Sequence, residues 1–80
     1  MKIPRDINAQ DLIKYIKPYG YIVTRQTGSH IRLTTNQNGE HHITIPNHDP
    51  IKIGTLSAIL SDIANHLTKT KEELIKELFA

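Results

Sequence analysis

Between two β-branched runs, Tyr21–Thr24 and Ile31–Thr35, lies the polar stretch Arg25-Gln26-Thr27-Gly28-Ser29-His30. It brings a glycine, a hydroxyl, an imidazole and nearby guanidinium groups to the point where one strand ends and the next begins. Such a set can hold a phosphate and move a proton. A guanidinium grips phosphate oxygens through paired N–H donors, and histidine, with an ordinary pKa of ~6.5, exchanges protons near neutrality. Each member also has a plainer reading. Gly-Ser is common chemistry for a tight turn, and a histidine that opens a strand is commonly just solvated. Arg25 and Arg32 are equally at home as solvated strand residues, or paired with Glu40 or Asp49 for little net energy.

The chain that must position these residues is short. Eighty residues make one domain, spanning 1–80, whose core is too small for a deep cavity or an elaborate cofactor site. There is no cysteine, which excludes a disulfide staple, a thiolate nucleophile and a Cys-based zinc site. The opening Met1-Lys2-Ile3-Pro4-Arg5-Asp6 has no apolar signal segment, and no apolar run is long enough to span a bilayer, so the expected location is the cytoplasm and no membrane contact is expected. The net charge is +2 and unevenly spread. Residues 1–60 hold seven bases against four acids, and residues 61–80 hold three bases against four acids. That bias permits a polyanionic partner at the front of the chain without demanding one.

The hydrophobic pattern predicts the elements in turn. Asn8 is a good N-cap, Asp11 suits the positive end of a helix, and Ala9, Leu12, Ile13 and Ile16 form an apolar stripe at helical spacing. Pro18 and Gly20 stop this helix early, with Tyr19 and Tyr21 as anchors at the stop. A strand over Tyr21–Arg25 follows, but its alternation is too poor to say which face Arg25 takes. In the next strand Ile31 and Leu33 share one face and leave His30, Arg32 and Thr34 on the other. Asn38-Gly39 signals a hairpin, after which Ile43 and Ile45 match Ile31 and Leu33 while His42 and Thr44 fall on the polar side. Pro46-Asn47-His48-Asp49-Pro50 reads as a loop. Thr55 is the expected N-cap of a second helix with Leu56, Ile59, Leu60, Ile63 and Leu67 on one stripe. Thr70 with Glu73 predicts a capping box for a last helix whose Leu74, Ile75 and Leu78 dock inward. The expected fold is α+β: α-β-β-β-α, with a three-stranded antiparallel sheet and an extra C-terminal helix.

The remaining histidines offer less. His41 and His42 are neighbours in a strand, face opposite sides and cannot chelate together. With His48 and Asp49 their spacing fits no metal template, so no metal site is expected. His66, late in the second helix, suits a structural role. Lys52 is available for a polyanionic or protein partner, or is simply exposed.

A short helix, Gly20-Tyr21, the block Arg25-Gln26-Thr27-Gly28-Ser29-His30, then Thr44-Ile45-Pro46-Asn47-His48 and Ile53-Gly54-Thr55-Leu56 before an apolar helix resemble the HicA toxin family. The resemblance runs from about Gln10 to Ile63, and its most specific part is the Arg…Gly-Ser-His block. It implies a double-stranded-RNA-binding-domain-like fold and a small mRNA interferase, that is, an endoribonuclease acting on single-stranded mRNA without a cofactor. It further implies neutralisation by a HicB-like antitoxin, and no direct DNA binding except through that antitoxin. By the same resemblance His30 matches the catalytic histidine, Gly28 and Ser29 the turn that presents it, and His48 a second recurrent histidine. Pro18 departs from the family, whose first helix usually continues there, and Asn47–Lys52 is less basic than in many relatives.

The chemistry that would follow is metal-independent. RNA carries its own nucleophile, the 2′-hydroxyl. An enzyme must take its proton, stabilise the anionic phosphorus centre and protonate the leaving 5′-oxygen. His30 would be the base, or the acid if the substrate lies the other way. Arg25 or Arg32 would hold the phosphate and offset its charge. Ser29 would orient the phosphate, and Gly28 would let the backbone approach closely. His48 or His42 would be the nearest partner for a second proton transfer. The competing expectations are a non-catalytic RNA-binding domain, a protein-interaction module using the polar sheet face for docking, and a metal-dependent nuclease.

Overall fold

A computed structural model describes residues 3–79. Helix α1 (Ala9–Ile16) is followed by a 3-10 turn (Lys17–Tyr19) and strands β1 (Ile22–Thr27), β2 (His30–Thr35) and β3 (His41–Pro46). Helices α2 (Ile53–His66) and α3 (Lys71–Phe79) close the chain. The strands form one antiparallel sheet in the order β1-β2-β3. The fold is therefore α+β, with the element order the hydrophobic pattern predicts.

The local signals explain most boundaries. The Asn8 side chain accepts from the Asp11 N–H at 2.8 Å and the Asp11 carboxylate accepts from the Asn8 N–H at 3.3 Å, a reciprocal capping box that satisfies two orphan donors of α1. Thr70 and Glu73 do the same for α3, at 3.0 and 2.9 Å. Helix α2 differs from expectation. It begins at Ile53, and its N-cap is Lys52, with no side-chain cap, rather than Thr55. The buried Ile51 sets this start, because its N–H donates to Ile7 O at 2.8 Å and fixes how the chain approaches the helix.

The core lies on one side of the sheet. Ile31, Leu33, Ile43 and Ile45 point into a cluster with Leu12 and Ile16 of α1, Leu56, Leu60 and Ile63 of α2, and Leu74 of α3. Leu67 and Leu78, expected on the inward stripes, are only partly buried at its margin. Among the described residues no helix covers the opposite face, which carries exposed His30, Arg32, His42 and Thr44. Strand β1 is exposed along its whole length, even at Val23, which sits opposite the buried Leu33. The helical layer thus shelters β2 and β3 and leaves β1 as an overhanging edge.

Tyr21 is buried, and burial pushes its phenol up to about 12. It therefore stays a neutral donor. Donation from Tyr21 to His41 Nδ1 (2.8 Å) leaves the His41 Nε2–H for Asp62 (3.2 Å). His41 stacks on His66, with ring centroids 4.3 Å apart, and His66 Nε2–H donates to the carbonyls of Gln37 and Gly39 at 2.9 and 3.0 Å. Two of the five histidines thus pin the Asn38-Gly39 hairpin to α2, and Asn38 adds a bond to His66 O at 2.7 Å.

Gly20 ends the 3-10 turn at φ 84°, and a Cβ there would lie 2.7 Å from Thr35 Oγ1, a buried hydroxyl already bonded to Tyr19 O and Gln37 N. Gly54 meets nothing within 4 Å and has no positive φ. Urea denaturation should show Gly20→Ala losing about 2 kcal/mol or more, from left-handed strain plus overlap. Gly54→Ala should gain roughly 0.4–1 kcal/mol.

Candidate functional site on the open sheet face

The position of Arg25 depends on one extra residue. From Ile22↔Thr34 and Val23↔Leu33 a regular ladder would continue to Arg25↔Ile31 and put the arginine on the covered face. The register instead shifts between Val23 and Arg25, so that Arg25 lies opposite Arg32, Gln26 opposite Ile31 and Thr27 opposite His30. This β-bulge at Thr24 moves every later residue of β1 to the other face. Thr24 is held in it by its hydroxyl, which lies 3.2 Å from Thr34 Oγ1 and 3.4 Å from Arg32 O.

The open face consequently has three rungs. The first is Thr27–His30–Pro46, the second Arg25–Arg32–Thr44 and the third Ile22–Thr34–His42. Successive rungs are about 6.7 Å apart along a strand. Gly28 and Ser29 alone make the turn beside the first rung. Gly28 has φ 55° and Ser29 a negative φ, the pattern of a two-residue turn with glycine in its first central position. A Cβ on Gly28 would meet nothing within 4 Å, so the glycine answers to the turn's backbone and to open space above it. Ser29 O accepts from the Asn47 N–H at 2.6 Å, which ties this turn to the loop after β3. That loop carries His48, whose carbonyl accepts from the Ala9 N–H at the start of α1 at 3.3 Å.

The histidines separate cleanly by what they touch. His41 and His66 serve the hairpin. His42 lies between Thr34 Oγ1 (2.7 Å to Nδ1) and Glu40 (2.9 Å to Nε2). His30 and His48 are exposed, and among the described residues neither imidazole has a hydrogen-bond partner in the protein. His42 stands about 13 Å along the strand from His30, with the arginine rung between them, so the two cannot act on one phosphate. His48 instead follows Asn47, whose N–H is bonded to the carbonyl of Ser29, the residue before His30. No group of three or more His, Asp or Glu side chains among the described residues is placed to hold a metal ion.

The second rung is electrostatically unfinished. Two guanidinium-bearing residues lie directly opposite each other, where β-carbons are typically ~5 Å apart and like charges repel. Among the described residues no carboxylate is within ion-pair distance of either. Glu40, one of their expected partners, is on His42 instead. An anion is what this rung lacks, and a phosphate accepting from both guanidinium groups fits it.

The family model described as HicA toxin of bacterial toxin-antitoxin matches residues 9–64, from the first residue of α1 to near the end of α2. The chain belongs to the HicA toxin family. No curated protein and no solved structure matches it significantly. As a HicA toxin it is one half of a toxin-antitoxin pair, with an antitoxin as partner. The matched span holds the whole sheet, both short loops and all of the candidate residues Arg25, Gly28, Ser29, His30, Arg32 and His48, whereas α3 lies beyond it. No helix among the described residues is long and apolar enough to cross a membrane. The most informative feature outside the reach of residue patterns was the bulge, since nothing in Ile22-Val23-Thr24-Arg25 marks where the extra residue falls.

The unpaired arginines make a prediction. In low salt Arg25→Gln or Arg32→Gln should leave stability unchanged or raise it by roughly 0.2–1 kcal/mol. Inorganic phosphate at matched ionic strength should raise the melting temperature of the parent more than that of either variant. Equal shifts in all three proteins would show that the rung binds no anion.

Proposed function

We propose that this HicA toxin is an endoribonuclease that cleaves single-stranded mRNA without a metal ion, using His30 for proton transfer. The observation that carries the reading is the exposed His30 imidazole, one rung from two guanidinium groups, with neither the imidazole nor the guanidinium groups partnered among the described residues. RNA threaded across the open face brings a phosphate to that rung and a 2′-hydroxyl to His30. His30 takes the 2′-hydroxyl proton, the 2′-oxygen bonds to phosphorus, and the bond to the 5′-oxygen breaks. The leaving oxygen needs a proton, which His48 or the protonated His30 returns. Arg25 and Arg32 offset the charge that builds on phosphorus, where fixed donors act most strongly. Ser29, at the turn, orients the phosphate, and Gly28 keeps the approach clear.

The requirement for a 2′-hydroxyl makes DNA a non-substrate, and any DNA contact of the pair belongs to the antitoxin. A HicB-like antitoxin neutralises the enzyme by covering the open face and burying His30. Residues 1–80 act as one toxin domain, in the cytoplasm where mRNA is found.

Expression of the parent beside His30→Ala from a tightly repressed promoter, following growth and mRNA integrity, tests the reading. The parent should arrest growth with loss of mRNA. The variant, with an unchanged circular dichroism spectrum, should do neither, and purified protein should lose on the order of 10²–10⁴-fold in cleavage rate. A chelator should leave the parent's activity intact. Equal toxicity of both would remove His30 from the site, and harmlessness of both at verified expression would favour a non-catalytic binding module.

A further inference from the structure

The third rung of the open face takes no part in the cleavage chemistry, yet it is built. The His42 ring is held at both nitrogens, 2.7 Å from the Thr34 hydroxyl and 2.9 Å from the Glu40 carboxylate, and its side chain is still 40% exposed. With both nitrogens engaged, what remains open is largely the carbon surface of the ring. On the other flank of the same rung stands Ile22, an aliphatic side chain 61% exposed on the polar face of the sheet. Between them the Thr34 hydroxyl is joined to that of Thr24 at 3.2 Å. Two apolar walls about two strand spacings, roughly 9.6 Å, apart flank a floor of hydroxyls.

A flat heteroaromatic group fits such a place. Single-stranded RNA is recognised largely through unstacked bases laid on rings, histidine included, while the backbone follows positive charge. The charge is on the adjacent rung, where Arg25 and Arg32 face each other with no carboxylate within ion-pair distance among the described residues. An acidic protein segment would satisfy the arginines, but it has no use for a fixed ring and an aliphatic wall beyond them. RNA supplies a phosphate for one rung and a base for the next.

We propose that Ile22, Thr34 and His42 form a nucleobase subsite, with the base stacked on His42 and Ile22 as the opposite wall. The proposal rests on the cleavage reading for its register. With the cleaved phosphate at the arginine rung and its 2′-hydroxyl at the His30 rung, the base belongs to the nucleotide that follows the cut, on its 3′ side only. Glu40 is a positioning residue. Its carboxylate accepts from the ring and sets its plane, and Thr34 holds the other nitrogen.

The test uses single-stranded RNA oligonucleotides in which one abasic site is moved a nucleotide at a time along a fixed sequence. Affinity is measured by fluorescence anisotropy on the His30→Ala protein, and cleavage on the parent. One abasic position should weaken binding about tenfold, in line with a single base stack. In the parent that position should be the nucleotide immediately 3′ of the cut, with the loss falling on KM rather than on kcat. Adding His42→Ala should erase the difference between the abasic and intact strands, and His42→Phe, which keeps a ring without the Glu40 contact, should restore it. If no abasic position matters, if the oligonucleotides do not bind, or if His42→Ala lowers kcat and leaves the abasic penalty in place, the subsite is overturned. If the parent does not cleave RNA, the cleavage reading fails, and the binding scan on its own still decides whether His42 holds a base.

Discussion

Ile31, Leu33, Ile43 and Ile45 are buried against three helices on one side of a three-stranded sheet, and the function depends on this one-sided burial. Burying a side chain of this size is worth about 1.5–3 kcal/mol. Four of them outweigh any local preference of the residues between. A slip of one position in β2 or β3 would drive His30, Arg32, His42 and Thr44 into the core and expose the whole set. The register of the central and inner strands is thereby locked, and the polar residues are held outward without needing contacts of their own. Among the described residues the His30 imidazole has no hydrogen-bond partner, because Ile31 and Leu33, which follow it along β2 on the other face, do the packing.

The edge strand follows a different logic. Every residue of β1 is exposed, so its register is set by hydrogen bonding and by the bulge at Thr24. An unbulged β1 would place Arg25 beneath the sheet beside Ile31, away from Arg32. The bulge instead creates a rung of two like charges, an arrangement that disfavours the bare sheet and that a bound anion relieves. The same bulge twists the exposed edge and discourages another strand from pairing with it. Locally unfavourable charge placed beside an unengaged imidazole, on the one face the helices leave bare, is the physical basis of the proposed nuclease.

Where burial dictates a pattern, the sequence was legible. The alternation in Ile31–Thr35 and His41–Pro46 assigns both faces correctly because only one of them is covered. Asn8 with Asp11, and Thr70 with Glu73, mark their helices because each box satisfies backbone donors that nothing else reaches. Gly20 and Asn38-Gly39 take the positive φ values their types suggest. The face of Arg25 was not legible, since an exposed edge strand has no hydrophobic period and a bulge leaves no residue signature. The start of α2 was misread for a related reason. Thr55 has the right chemistry for a cap, but the buried Ile51 and its bond to Ile7 determine where the helix begins. Of the site, Gly28-Ser29-His30 stood out by residue type. The separation of His42 from His30, and its commitment to Thr34 and Glu40, emerged only from the strand register.

The central claim is that His30 acts on a 2′-hydroxyl of RNA held at the arginine rung, and the ends left by cleavage test it most directly. Purified toxin, incubated with RNA in the presence of a chelator, should leave a 2′,3′-cyclic phosphate on one fragment and a 5′-hydroxyl on the other, since the attacking oxygen is the RNA's own. Fragments ending in a 3′-hydroxyl and a 5′-phosphate would mean that water attacks instead, and would contradict the account.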